Sequence, residues 1–502
     1  TGAGLGLFGL RALPLVDRTR ERQVLWDALA RAVEGEGAQL CVLRGVPGAG
    51  KSRLAEWLGT MAHERGEADL LRATHGSDGG PQDGLGPMVA RSVRALGLEA
   101  QEEPLRQRVV SWLGTWGVVD PYEADALCAL VGRSPARVRL SGPLERSGVV
   151  LRLLERLCSR RPVIVWLDDV QWGESSLVFV QQLLARQATQ PLPVLVLATL
   201  QAQAPSTSRR ALERLADLDL SHPERSRILD IGPLTGSDQH DLVHSLLGME
   251  GPLIDEVSAL SSGNPLFAVQ LVADWVHRDL LEPGLEGFRI RAGAHVELPE
   301  DLARVWVTRL RGLLEFRPED DARALELAAV LGQQVDPEEW QAACERAWAI
   351  PTTDLVDSLM RLRLASSGEA GPEGGWAFVH AMLRATLLES ARSSGRLKVH
   401  NRVIAEMLRE RKAAPERIAH HLQGAGRSNS ALAQLLEAVD VALADSDLDR
   451  AESLLEEQER LLTELELPAE DWRRLDVLVA RARVALDRGQ QAEAAEAASE
   501  AE

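Results

Sequence analysis

Three short runs of consecutive apolar residues interrupt a chain that is otherwise patterned at helical spacing. They are Gln39-Leu-Cys-Val-Leu43, Pro162–Leu167 and Leu192–Ala198. Each has the length of a buried strand, far below the ~20 apolar residues that span a bilayer. Amphipathic stretches lie between them. Continuous apolar strands alternating with such helices predict a parallel sheet covered by helices on both faces, because a strand buried on both sides shows no polar side to water. Residues 38–58 read as strand, glycine loop and helix, with the loop at Arg44–Gly50.

From about Pro233 the strand pattern nearly vanishes and helices dominate. Thr235-Gly-Ser-Asp238 reads as a capping box opening one of them. Leu281–Pro299, with its Gly and Pro, reads as a linker. Asp301–Leu314, Asp321–Leu331 and Leu355–Leu362 read as helices, and Leu364–Ser367 with Trp376–Val379 as a short hairpin about a Gly-rich turn. Helices followed by a hairpin predict a winged-helix unit. After His400 the pattern is helical to the end. Ala431–Leu462 and Asp471–Glu500 resemble each other, each with an Ala (Ala451, Ala494) after a polar turn that lets a second helix pack closely. Tetratricopeptide-like repeats fit this pattern, and so do generic antiparallel helices. The expected division is an NTPase core at 12–232, a helical lid at 233–290, a winged-helix-like unit at 291–395 and helical repeats at 396–502.

The 45% hydrophobic and 26% charged composition is that of a soluble globular protein. A net charge of −19 over 502 residues disfavours nucleic acid as a partner, since binding it needs basic surface to replace condensed counterions. Cys41, Cys128, Cys158 and Cys344 are scattered without a Cys-x-x-Cys pair. That argues against a zinc ribbon or a disulfide framework and suits a reducing cytoplasm. No secretion signal or membrane span is expected. The chain starts at Thr1, and both ends read as cuts within a longer protein.

Gly45-Val46-Pro47-Gly48-Ala49-Gly50-Lys51-Ser52 matches the phosphate-loop pattern G-x-x-x-x-G-K-[ST] without deviation, between a strand and a helix. Main-chain N–H groups of this loop, through Arg53, are expected to cradle phosphates at a helix N-terminus. Lys51 would reach the β- and γ-phosphates and Ser52 would ligate Mg²⁺. The lysine stands out because the chain has only three, at 51, 398 and 412. A second element is an acidic pair ending a buried strand, Pro162-Val-Ile-Val-Trp-Leu-Asp168-Asp169. Asp168 is the candidate Mg²⁺-side carboxylate and Asp169 the residue that orients or deprotonates the attacking water. ATP or ADP with Mg²⁺ is therefore the expected ligand.

With these motifs in place, the chain resembles the AAA-type ATPase module of bacterial signal-transduction ATPases with numerous domains, the STAND class. Such modules occur in large LuxR-type regulators, kinase–ATPase fusions and some adenylate cyclases. The matching strings are Leu15-Val-Asp-Arg-Thr-Arg-Glu21, the phosphate loop, Trp166-Leu-Asp-Asp-Val-Gln-Trp172, Ser175-Ser-Leu177, Gly263-Asn-Pro-Leu-Phe267, Ala328-Ala-Val-Leu-Gly332 and Phe378-Val-His380. The resemblance implies that Arg18 lies against the adenine, that Pro265 in the lid packs on the base, and that His380 touches the ADP β-phosphate. Three positions depart from the family pattern. Asp17-Arg18-Thr19 replaces Gly-Arg-Glu, Gln201 stands where an Arg commonly senses the γ-phosphate, and Val379 stands for Arg. Gln201 supplies no charge and Asp169 is shorter than a Glu, so slow hydrolysis is expected.

Together these features predict a signal-transduction switch that couples nucleotide state to assembly or to an effector domain. The helical repeats would contact protein partners, and self-association would depend on nucleotide. Two other functions are weighed beside it. One is a protein-interaction scaffold that binds nucleotide without turnover. The other is an origin-recognition-like DNA ATPase, which the acidic charge disfavours.

Overall fold

The structure is a computed structural model. It describes residues 15–76, 83–99, 101–132, 137–140, 142–202, 209–247, 251–283, 288–291, 302–362, 364–367, 375–379, 381–445, 447–468, 471–488 and 490–501. Five strands, β1 (Gln39–Gly45), β2 (Asp69–Thr74), β3 (Val163–Asp168), β4 (Val194–Gln201) and β5 (Ser226–Asp230), form one sheet. Their order is β2-β3-β4-β1-β5 and all neighbours run parallel.

Side-chain alternation splits this sheet's apolar residues between two cores. Cys41, Leu43, Ile164, Trp166, Leu195 and Leu197 pack with Leu25, Leu29, Leu54 and Leu58, from the helices Thr19–Arg31 and Lys51–Glu64. Leu40, Val42, Val163, Val165, Val194 and Val196 face the other way, onto Leu151, Leu154, Phe179 and Leu183 of the helices Gly142–Arg160 and Glu174–Ala185. Both faces are thus closed to water, which is why β1, β3 and β4 read as unbroken apolar runs. The result is an α/β P-loop NTPase fold. β2 and β5 lie at the sheet edges and were not legible as strands, because Arg72 and Asp230 interrupt their short apolar stretches.

Beyond the sheet come helices Gly236–Leu247, Gly251–Ser261 and Pro265–His277. The stretch expected to be a linker instead carries a small antiparallel ladder, β6 (Leu281–Pro283) with β7 (Phe288–Ile290). Strands of three residues are too short to show an alternating pattern, and main-chain pairing alone defines them. Helices Leu302–Leu314, Glu319–Leu331, Pro337–Ala347 and Leu355–Arg361 follow, with the strands β8 (Gln334–Val335), β9 (Ala365–Ser367) and β10 (Trp376–Phe378). These strands form an antiparallel sheet of order β8-β10-β9. Trp376 anchors it through edge-on contacts with Trp340 at 5.4 Å and Phe378 at 5.0 Å between ring centroids.

Helices Leu397–Glu410, Pro415–Gly424, Ser428–Ala444, Leu448–Glu464, Trp472–Asp487 and Gln491–Ala501 pack on one another in chain order. Ala451 and Ala494, each after a turn, are buried between helices. One apolar cluster runs without a break from Leu234 to Val484 and includes the fully buried Trp275 and Trp306. No helix among the described residues is long and apolar enough to cross a membrane.

Candidate nucleotide site

The carboxyl ends of β1, β3 and β4 converge because the parallel order places β4 between the other two. In open parallel sheets, ligands bind in the crevice at these ends. The loop leaving β1 is held close to its neighbours. A Cβ on Gly45 would stand 2.4 Å from the Ile231 carbonyl oxygen, so nothing larger fits there. Gly48 sits at φ +82°, where glycine is favoured, and a Cβ on it would meet Asn264 Oδ1 at 2.6 Å. Val46 and Pro47 are exposed at the rim, while Ala49 is buried beneath the loop.

Lys51 opens the following helix and is only 7% exposed. Its Nζ donates to the carbonyls of Gly45 and Val46, each at 3.0 Å. Burial lowers its pKa, and the nearby charges of Asp169 and Asp168 oppose that shift. Ser52 Oγ donates to Asp168 Oδ1 at 3.0 Å, so the loop and the acidic strand end meet directly. Arg53 pairs with Glu56 at 2.8 Å along its own helix.

Asp168 is held by residues from the strands on either side of its own. Thr199 Oγ1 on β4 donates to Oδ1 at 2.6 Å, and Arg72 Nη2 on β2 donates to Oδ2 at 2.8 Å. Asp169, next along, adopts a left-handed conformation at φ 52°. Its N–H donates to Thr199 Oγ1 at 2.8 Å, and its Oδ1 accepts from Gln171 at 3.2 Å and from Gln201 at 3.5 Å. Burial, reinforced by the Asp168 charge, raises the Asp169 pKa. The two carboxylates thus differ in kind: Asp168 is paired directly with a cation, while Asp169 accepts only from amides, with the Lys51 charge nearby.

His75, just past β2, braces the turn after β3. Its N–H and its Nδ1 both reach the Asp168 carbonyl oxygen, at 3.1 and 2.8 Å. A carbonyl only accepts, so Nδ1 carries the proton, and Nε2 then accepts from Ser176 Oγ at 2.8 Å. Burial holds the His75 pKa down, keeping the ring neutral. Thr199, Arg72 and His75 were missed in the sequence. Thr199 carried a visible signal, a polar residue ending a buried apolar run, but Arg72 lies in an edge strand that itself gave no pattern.

The donor set fits a hard divalent cation. Ser52 Oγ and Asp168 Oδ1 are oxygen ligands brought together at one point. Among the described residues no group of three or more His, Cys, Asp or Glu forms a self-sufficient metal cage. A cation here would complete its shell with phosphate and water oxygens, which is the habit of Mg²⁺.

The helical half touches this site from above. Asn264 caps the helix Pro265–His277 by accepting from the N–H groups of Leu266 and Phe267, at 3.1 and 3.3 Å. Its Nδ2 donates to the Pro47 carbonyl at 3.1 Å, and the Leu266 N–H lies 3.4 Å from the Gly48 carbonyl. Pro265 is therefore held next to the phosphate loop, half-buried. Arg18, buried and left-handed at φ 59°, donates to the Ala49 carbonyl at 3.2 Å and to the Gly232 carbonyl at 2.5 Å. Its guanidinium thus ties the loop to the start of the helical half. Gln334 on β8 donates to Thr74 Oγ1 at 2.9 Å, beside the acidic strand end. His380 lies outside the described residues.

Residues 14–229 match the family model described as the AAA ATPase domain. This segment, the sheet with its flanking helices, is similar to an AAA-type ATPase domain. Such a domain binds nucleotide, and the loop, lysine and acidic strand end described above are its matching parts. Over longer stretches of the chain, comparisons are more distant. An uncharacterized protein of Rhizobium meliloti (strain 1021) is 23% identical over 472 residues, covering 89% of this chain. The chain spans 43% of that relative's length. Among solved structures, a Pyrococcus horikoshii STAND protein with a tetratricopeptide repeat sensor is 13% identical, with 98% of this chain and 70% of that one covered at a TM-score of 0.40. The Aeropyrum pernix ORC1 protein in complex with DNA is 16% identical, with 78% and 97% covered at a TM-score of 0.34. The fold assignment of the AAA domain rests on its own sheet order and phosphate loop.

Proposed function

We propose that this chain is a nucleotide-operated switch of the STAND class, binding ATP or ADP with Mg²⁺ and hydrolysing ATP slowly. The observation that carries this reading is the contact of Asn264 with Pro47. The residue that caps the lid helix Pro265–His277 also hydrogen-bonds the loop that would hold phosphate. Any change in loop conformation is then felt at the lid. In this reading 233–290 is the lid, 291–395 a winged-helix-like unit and 396–502 a set of repeats offering a surface to protein partners.

The residues divide the work as follows. Main-chain N–H groups of the Gly45–Ser52 loop, Pro47 excepted, receive the phosphates, and Lys51 exchanges the carbonyls of Gly45 and Val46 for phosphate oxygens. Ser52 and Asp168 would hold Mg²⁺, which would supply positive charge against the phosphate oxygens. Asp169 orients the attacking water and takes its proton on a carboxylate whose raised pKa suits a base. Pro265 and Arg18 line the base side, and His380 donates to the β-phosphate in the closed form. Nucleotide shifts the lid only by its differential affinity for closed and open states.

Lys51→Ala should weaken ATP binding by about 10- to 100-fold, the loss of one or more charge-assisted hydrogen bonds. Calorimetry on the full chain measures it, and equal affinity for variant and parent would remove the phosphate-loop assignment. A second reading, a scaffold that binds without turnover, is favoured by Gln201 in place of a charged sensor. Phosphate release from the parent chain at saturating ATP separates the two.

A further inference from the structure

Asp168 is the most heavily engaged carboxylate at the site. Ser52 and Thr199 occupy Oδ1, and Arg72 occupies Oδ2. The Arg72 guanidinium is itself fixed, since its carbon stacks 3.9 Å from the centroid of the Trp166 ring on the neighbouring strand. Parallel register pairs Arg72 with Trp166, so the long side chain reaches two residues further along β3 to Asp168. The ion pair is sheltered, with side-chain exposures of 34% for Arg72 and 12% for Asp168. A carboxylate offers roughly four lone-pair positions, and three here receive protein donors.

We propose that Arg72 is a positioning residue that competes with the metal for Asp168, and so sets the Mg²⁺ concentration at which the nucleotide site fills. This rests on Asp168 being the metal-side carboxylate. A metal-bound water that hydrogen-bonds to Asp168 needs lone pairs on that group, and a cation approaching it needs its negative charge. The Arg72 fork takes both, through a direct N–H···O bond and through neutralisation. Metal entry therefore requires Arg72 to loosen its hold on Oδ2. The charge absent at Gln201 on β4 is present on the other side of the acidic strand, on β2, where it opposes metal until nucleotide arrives.

The test is a titration of Mg²⁺ against a fluorescent ADP analogue on the full chain, which reports affinity and is independent of turnover. Arg72→Gln should lower the Mg²⁺ midpoint for tight binding by about ten-fold, equivalent to ~1.4 kcal/mol. Arg72→Lys keeps the charge without the planar fork and should fall between Arg72→Gln and the parent. Thermal melts of both variants show whether the sheet edge is intact, and Arg72→Lys reports on the competition if Arg72→Gln melts early. A midpoint for both variants that is unchanged, or higher than the parent's, overturns the proposal. Asp168→Ala separates the two levels. If it abolishes the Mg²⁺ dependence while the Arg72 variants leave the midpoint alone, Asp168 holds the metal and the competition is refuted. If Asp168→Ala leaves the dependence intact, the assignment of Asp168 fails and the competition falls with it.

Discussion

In the sheet half, strand register and the turn from β1 into its helix set the side chains at the nucleotide site, whereas the helical half reaches that site through a few polar contacts. Asp168 and Thr199 sit on adjacent parallel strands whose apolar residues are buried on both faces, and Arg72 on the half-buried edge strand beside them. Shifting either of the first two means breaking two cores. Asn264 and Gln334 reach the site across a boundary, by one hydrogen bond each to Pro47 and Thr74. The helical half has its own continuous core, and among the described residues its attachment at the site is a small set of polar contacts. A fixed seat under a removable cover is the arrangement a switch needs, because it separates chemistry from conformational change.

Breaking the seat should give the largest effect. Asp169→Asn keeps the shape and the hydrogen bonds of Gln171 and Gln201 in reach but removes the base, so turnover should fall by about 10²-fold or more while ATP binding is spared. The same change has a stability signature with a definite sign. The folded-state pKa of Asp169 is raised above its ordinary 3.8 by burial first and by Asp168 second. Stabilisation from the protonated form is therefore full below about 3.8 and is lost as pH rises through the raised value. Above it the folded chain carries a poorly solvated charge. Asp169→Asn should melt higher than the parent at neutral pH, with the difference closing as pH falls. Turnover equal to the parent's, or a melting difference of opposite sign, would mean that another group positions the water.

Loosening the cover should give a smaller effect, visible in stability and release rather than in chemistry. Asn264→Ala removes a helix cap, which costs about 1 kcal/mol, and with it the hydrogen bond to Pro47. ADP should leave faster, while the rate of phosphate release at saturating ATP changes little. Gly48→Ala attacks the same contact from the other side. It forces a Cβ at φ +82° and against Asn264 Oδ1, so it should cost about 1–2 kcal/mol and also open the lid. A calorimetric melt and a stopped-flow ADP chase measure both. If Asn264→Ala slows phosphate release as much as Asp169→Asn, then seat and cover are not separable.

The same division explains what could be read from the sequence. β1, β3 and β4 were legible because double burial leaves unbroken apolar runs, and the phosphate loop because its chemistry admits few residue types. The cap at Asn264, followed by Pro265 at the first helical position, was visible as a string without its contact to Pro47 being visible. Edge strands carry polar residues on their open side, and β2 hid both itself and Arg72 for that reason. Contacts such as Gln334 with Thr74 join residues far apart in the chain, through geometry that no local pattern encodes. The ladder of β6 and β7 reads as a linker in the sequence because main-chain pairing leaves no mark on so short a stretch.

The smallest effect should come from the charged contacts between the two halves, and it sharpens the comparison most. Arg210, on the helix Arg209–Ser221, donates to Glu456 at 2.7 Å and lies 3.8 Å from Glu452. Arg139 and Arg146 each approach Asp445 at 3.4 Å. These pairs join the sheet half to the helices Ser428–Ala444 and Leu448–Glu464, and by distance alone they look like a strong fastening. Their environment argues otherwise. Glu456 is 61% exposed and Arg139 69%, so water and salt screen the attraction, and ordering two long side chains offsets what remains. Such pairs contribute less than ~1 kcal/mol each. Arg210→Ala should therefore lower the melting temperature less than Asn264→Ala does, and the difference should shrink further between low and high salt. ADP release should stay near the parent rate. A larger, salt-sensitive loss of stability or faster ADP release in Arg210→Ala would place the fastening at the charged boundary, and Asn264 would then be a helix cap that happens to touch the loop.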